Sequence, residues 1–399
     1  MKQILFITNR NVLTTCGELR LIKNRAEALW NTYGFATDFI ALSAPDRIIS
    51  QKRERIVCGG EMNTIPLPRK NFFGIIKAYR DLIYTIKEVL QNKKYDVVVL
   101  SGLLMPLFGK KVKKICGLPL IYDFHGAFED TYESTANSNA IKKLVFRIFY
   151  LLENSVINVC LKHADGCFVV TEALKRYLIR RYSNAADLDY YVVPCAISDD
   201  CMSEEEYHNN RTEYRRKYGI TEETPVFLYS GGTSSWQCID ETIDLFHQIR
   251  SEIKQPVKCL MFSHNISLIR EKIGNDPDVI TDSYTPEELA KALCAADYGF
   301  LLRKKCPTNQ VAFPNKFLEY VRANLRMIAT PNVEEIAEQV ANNELGVLYN
   351  MDGNVSALLT ELQKSSETYN SEVIQLVLRN NSFEYRLSKF AEKYNGAEI

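Results

Sequence analysis

Three charged residues late in the chain, Arg303, Lys316 and Glu319, are spaced to hold a diphosphate and its sugar. Arg303 follows the apolar run 298–302, which has the length and composition of a buried parallel strand. Its guanidinium fork therefore lies at the carboxyl end of a strand, where open α/β sheets bind ligands. Pro314 suits the first turn of a helix, where its missing N–H costs nothing, and Asn315 and Lys316 then open that helix. The free amides of the first turn and Lys316 would face one anion. Glu319, one turn on, shares the face of Lys316 and can accept hydrogen bonds from a pair of sugar hydroxyls. A second group stands earlier, in the D-F-H-G motif at 123–126 after the apolar run 118–122. When a diphosphate leaves a sugar carbon, positive charge develops on the sugar and negative charge on the leaving group. His125 is the polar group to place beside the first, and the cations belong beside the second. Asp123 is placed to orient His125, and Glu129 to reach an acceptor. Each residue type is also an ordinary surface or core feature, so their order carries the reading.

These side chains need a scaffold, and the apolar runs supply it. Strands are expected at 4–8, 35–40, 95–100, 118–122, 165–171 and 190–194, then at 225–229, 258–262, 298–302, 326–330 and 346–349. Helical stretches between them predict parallel, doubly wound sheets. The chain turns polar at 196–223, which reads as a linker and the entry helix of a second domain. Gly231 and Gly232 follow the first strand of that domain. Their loop precedes a helix from Ile239 whose amide end could also reach a phosphate. The turn at 14–17 lacks a full glycine fingerprint, so a dinucleotide site is poorly supported.

A chain of 399 residues, 46% hydrophobic and 25% charged, suits two domains better than one. Lys plus Arg and Asp plus Glu both total 49, so no global field draws the chain to nucleic acid. The eleven cysteines form no C-x-x-C pair, and the five histidines do not cluster with them at ligand spacing. No metal site is expected, and the compartment expected is the reducing cytosol. No apolar run reaches the roughly 20 residues of a membrane span. The nearest, 144–161, is broken by Arg147, Glu153, Asn154 and Asn158. Residues 70–94 mix cations with Phe72, Phe73, Ile75, Ile76, Tyr79 and Tyr84, and lysines 110, 111, 113 and 114 follow. Packing on the sheet accounts for such a helix, and so does peripheral contact with an anionic membrane, since a helix has two faces.

The segment R-x5-N-x4-P-N-K-F-L-E-Y, from 303 to 320, resembles the retaining family-4 glycosyltransferases of GT-B fold, and the resemblance extends over nearly the whole chain. It implies an α/β chain of two Rossmann-like domains facing each other across a cleft. Residues 1–196 would bind the acceptor, 197–380 the nucleotide-sugar donor, and the helix in 381–399 would cross back to the first domain. It implies a hexosyltransferase that moves a sugar from a nucleotide-sugar, UDP-sugar above all, to an acceptor hydroxyl with retention and without a metal. Cell-surface polysaccharide or glycoconjugate synthesis is the implied setting, with a saccharide or lipid-linked acceptor at the cytoplasmic face of the inner membrane. His125 would contact the donor sugar and Gly17 would lie near donor and acceptor. Arg303, Asn309, Asn315, Lys316, Glu319, Gly231 and Gly232 would hold the donor, with Tyr284 beside the base.

Two departures from the family pattern stand out. The loop after Gly232 has Thr233, Ser234, Ser235, Trp236 and Gln237 where relatives often carry an arginine and a lysine. Val311 occupies the place of the first of two glutamates eight positions apart, so its sugar contact would pass to Asn309 or loop amides. Two other readings stay open: a sugar-nucleotide epimerase, which Val311 weakens, and a silent subunit that binds nucleotide or a partner transferase.

Overall fold

The apolar runs of the first half form a parallel sheet. The computed structural model of the chain describes residues 1–9, 17–43, 58–67, 72–102, 105–127, 139–195, 201–363 and 370–395. It divides into two units, Met1–Cys195 with Phe383–Ile399, and Ala196–Ser382.

In the first unit the strands are β1 (Lys2–Thr8), β2 (Phe35–Ser43), β3 (Met62–Pro66), β4 (Val97–Ser101), β5 (Leu120–Phe124), β6 (Gly166–Val169) and β7 (Asp189–Val192). They pair in parallel in the order β3-β2-β1-β4-β5-β6-β7. β4 and β5 are buried along their whole length, which is why they read as unbroken apolar runs rather than alternating ones. β5 runs two residues past the expected end, so Asp123 and Phe124 belong to the strand and His125 is the first residue beyond it. β3 went unread in the sequence. It is a short edge strand ending at Pro66, and an edge position tolerates proline and needs no continuous apolar run.

The second unit repeats the plan with β8 (Val226–Ser230), β9 (Lys258–Phe262), β10 (Val279–Asp282), β11 (Tyr298–Leu301), β12 (Arg326–Ala329) and β13 (Gly346–Leu348). Their order is β10-β9-β8-β11-β12-β13, again all parallel. In both sheets the winding reverses once, between β1 and β4 and between β8 and β11. The crevice outside the carboxyl ends at such a reversal is the ligand position in this architecture.

Two helices bear on the membrane reading. Helix Phe72–Asn92 buries Ala78, Leu82 and Ile86, and it leaves Phe73, Ile76 and Tyr84 exposed, so it has both a packed and an exposed face. Helix Ala140–Leu161 corrects the sequence expectation. It is continuous over 22 residues, and by length and composition it could cross a membrane. The polar residues 153–158 do not interrupt it, because Asn154, Ser155 and Asn158 bond to nearby groups while the backbone ladder continues. Helix Phe383–Asn395 packs on the first unit, where Phe390 lies fully buried against Phe35, Phe168 and Tyr191 at ring distances of 5.8, 4.9 and 5.2 Å.

Candidate functional site

Arg303 and Lys316 are buried cations of the second unit whose side chains donate to neutral oxygens, Leu302 O and Gln237 Oε1. Arg303 stands two residues past β11, at the winding reversal. Its backbone is clamped to the end of β12: its N–H donates to Thr330 Oγ1 (2.9 Å), and Thr330 Oγ1 and Asn332 Nδ2 donate to its carbonyl (3.0 and 2.8 Å). Among the described residues its guanidinium donates through Nη1 to Leu302 O at 3.1 Å. Burial lowers its pKa.

Lys316 opens the helix Lys316–Arg322. Its Nζ donates to Gln237 Oε1 (3.0 Å) and lies 4.1 Å above the Tyr229 ring. Burial, and next the positive charge of Arg303, hold its pKa well below the ordinary lysine value. A cation in that state favours whatever brings negative charge to it. Gly231 has φ +141°, and a Cβ there would lie 3.2 Å from Lys316 Nζ, so only glycine lets the backbone pass this close to the ammonium. Tyr229 OH donates to Gly232 O at 2.5 Å and fixes the loop. Behind this, buried Tyr320 donates through its hydroxyl toward Phe300 O and accepts from Ser230 N–H at 2.9 Å, which ties the Lys316 helix to both strands at the reversal. Its ring lies where a Cβ on Gly299 would come within 2.6 Å, so Gly299 makes room for it.

The other expected donor residues fall into place unequally. Glu319 is half-buried one turn past Lys316, and its charge raises the Lys316 pKa against the larger opposing effects. Asn315 caps that helix without a side-chain bond. The helix has seven residues, so its end adds little to two side-chain cations. Asn309 Nδ2 donates to Lys304 O at 2.8 Å within the loop after β11, a bond the sequence did not show. Val311 is buried. Tyr284 stands at the rim of the neighbouring strand, edge-on to Phe262, whose carbonyl accepts the Gly231 N–H. Its hydroxyl is committed to Asp282 (2.7 Å) and Lys217 (2.6 Å), which leaves only its ring for a base. Gln237 and Tyr229 are the residues missed as partners of Lys316. Gln237 stood where relatives often carry a cation, and that position was its signal.

In the first unit, Asp123 at the end of β5 accepts from Arg25 Nη1 (2.8 Å) on one oxygen and bonds His125 Nε2 (2.8 Å) on the other. Ser101, opposite Asp123 on β4, lies 3.5 Å from the same His125 nitrogen. Burial alone would raise the Asp123 pKa, but Arg25 and His125 more than offset it and hold the carboxyl far below its ordinary range. The group is therefore a permanent anion that fixes the imidazole. Arg25 was missed. It lies on helix Gly17–Tyr33 among buried Leu21, Ile22, Ala26 and Leu29, and a charge on the apolar face was the available sign that it is paired inside. Gly17 opens that helix. Residues 14–16 and Glu129 lie outside the described residues. Among the described residues no group of three or more His, Cys, Asp or Glu could hold a metal ion.

Residues 22–200 match the family model of Glycosyltransferase Family 4. Over that span the first unit is similar to a Glycosyltransferase Family 4 domain. The fold of the whole chain agrees with this match. Sucrose-phosphate synthase from Thermosynechococcus elongatus is 15% identical with a TM-score of 0.66, over 99% of this chain and 94% of that one. Anabaena HepE in complex with UDP is 14% identical with a TM-score of 0.67, over 99% and 100%. WaaG, a glycosyltransferase involved in lipopolysaccharide biosynthesis, is 15% identical with a TM-score of 0.62, over 98% and 100%. At such identities these likenesses establish the fold, and that fold is GT-B. No curated protein matches the chain significantly in sequence.

Proposed function

We propose that this chain is a family-4 glycosyltransferase that moves a hexosyl group from a UDP-sugar to an acceptor hydroxyl with retention of configuration. The observation that carries the reading is the buried pair Arg303 and Lys316 at the winding reversal of the second sheet, each donating to a neutral oxygen. Two desolvated cations side by side are costly alone and become favourable around a diphosphate. Binding of UDP by HepE supports a uridine donor. In the proposed reaction the bond from the sugar carbon to the diphosphate oxygen breaks, and the acceptor oxygen attacks from the same face. Its proton passes to a departing phosphate oxygen. His125, held by Asp123, attends the positive charge on the sugar, and Glu319 accepts from its hydroxyls. The cations stabilise the leaving group without a metal. The acceptor is a saccharide or lipid-linked glycan of surface polysaccharide or glycoconjugate synthesis, at the cytoplasmic face of a membrane that residues 70–114 touch peripherally.

Buried Val311, where relatives carry a glutamate, favours a second reading, a nucleotide-binding subunit without transfer. Product analysis after incubation with labelled UDP-sugars and candidate acceptors, beside calorimetric titration with UDP, separates the two. Binding with transfer supports the first and binding without transfer the second. No binding removes both.

A further inference from the structure

Helix Ala140–Leu161 begins with a sound cap, Asn139 accepting from the Lys142 N–H at 2.9 Å, and then presents apolar side chains to solvent over most of its circumference. Ile141 is 76% exposed, Leu144 61% and Phe149 60%, with Ile148, Leu151 and Leu152 exposed beside them. A helix this widely apolar is a buried helix or a membrane-seated one, and in the half at 140–152 only Phe146 and Tyr150 are half-buried among the described residues, Tyr150 through its contact with Arg181. From 140 to 152 the only charged residues are Lys142, Lys143 and Arg147. The neighbouring helix Gly109–Cys116, which meets this one where Gly109 packs on Cys160, adds exposed Lys110, Lys111 and Lys114 and carries no acid.

We infer that residues 140–152 seat this chain in the interface of an anionic lipid bilayer. The cations decide among occupants. A second copy seated face to face would bring Lys142, Lys143 and Arg147 against their own counterparts, with no acid in that half to offset them. Lipid phosphates supply the opposite sign, and the long stems of these residues let their charges reach the headgroups while the leucines and phenylalanine enter the acyl boundary.

The helix lies in the membrane rather than across it. Its last turns are fastened to the protein: Ile157, Cys160 and Leu161 are buried, Asn154 accepts from Arg181 Nε (2.8 Å) and Tyr182 OH (2.6 Å), and Asn184 holds Asn158 at 3.0 Å. The free part is about 20 Å long at 1.5 Å per residue, short of the ~30 Å hydrocarbon core. This seat adjoins the contact proposed for residues 70–114, with which it shares Lys110, Lys111 and Lys114, and it depends on neither the donor nor the chemistry.

Full-length protein floated with phosphatidylcholine vesicles containing a third of phosphatidylglycerol should be retained, less so as salt rises, and much less on phosphatidylcholine alone. Leu144→Glu/Phe149→Glu should reduce retention about tenfold or more. Lys142→Glu/Lys143→Glu should abolish the preference for the anionic vesicles. These positions are exposed, so melting temperatures should stay unchanged. Equal retention of the wild type and Leu144→Glu/Phe149→Glu, or no retention at all, overturns the inference. So does retention that resists alkaline carbonate, or a dimer that the double substitution dissolves. UDP titration on the same preparations is a separate readout: loss of UDP binding with vesicle retention intact counts against the donor reading alone.

Discussion

Its own fold disfavours the charge on Lys316, and the proposed diphosphate would offset that cost. Burial and Arg303 depress its pKa, so the unfolded chain holds that proton more tightly than the folded one. Stability without nucleotide should therefore rise with pH between the depressed value and the ordinary lysine value of about 10.4. Lys316→Met keeps the volume and removes the charge. It should remove that slope, raise the melting temperature by a few degrees and weaken UDP binding by about 1.5–3 kcal/mol. Scanning calorimetry and titration on one preparation check this, and a variant with lower stability and wild-type affinity would take Lys316 out of the site. Asp123 is the opposite case, an anion already satisfied by Arg25. Its folded pKa is depressed, so its contribution is present at neutral pH and lost only as pH falls through that low value. Arg25→Met leaves the buried carboxylate short of its main partner and should destabilise by about 3–5 kcal/mol at pH 7. Burial then raises the Asp123 pKa, so the deficit should shrink toward pH 4 as the group takes a proton. Urea melts at the two pH values test the sign.

At the scale of elements, the last helix belongs to the first unit although 187 residues of the second precede it. Phe390 fills the space between Phe35, Phe168 and Tyr191. Phe390→Ala should cost about 3–5 kcal/mol as a core cavity. The loss should appear in the first unit's unfolding and leave UDP affinity unchanged, because that site is built from the other sheet. A parallel loss of UDP affinity would show that the helix supports both. The Lys316 helix shows the reverse dependence: short and weakly capped, it holds its place through Tyr320, which reaches the backbone of β8 and the space that Gly299 leaves on β11.

For the whole molecule, the proposed chemistry asks side chains to do what a divalent ion does in other transferases. Transfer should survive a chelator. Activity lost in EDTA and restored by magnesium or manganese would show that Arg303 and Lys316 do not suffice to hold the leaving diphosphate.

Much of this was legible in the sequence. Strands buried on both faces keep unbroken apolar runs, so β1, β2, β4, β5, β8, β9, β11 and β12 could be read, and Arg303 and His125 could be assigned to the ends of two of them. Edge strand β3 left no such run. Partnership was not legible either. Arg25 lies 98 positions from Asp123, and Gln237 lies 79 from Lys316. Nothing local in the chain records a bond closed only when strands and helices pack. Asn309 had the right type for a ligand contact, and its bond to Lys304 could not be read. Residues 140–161 show the limit most plainly. Their sequence determined an apolar helix with three cations, and only tertiary packing decided that its last turns are held in the first unit and its first half is left for another surface, since burial belongs to the folded chain and not to the residue.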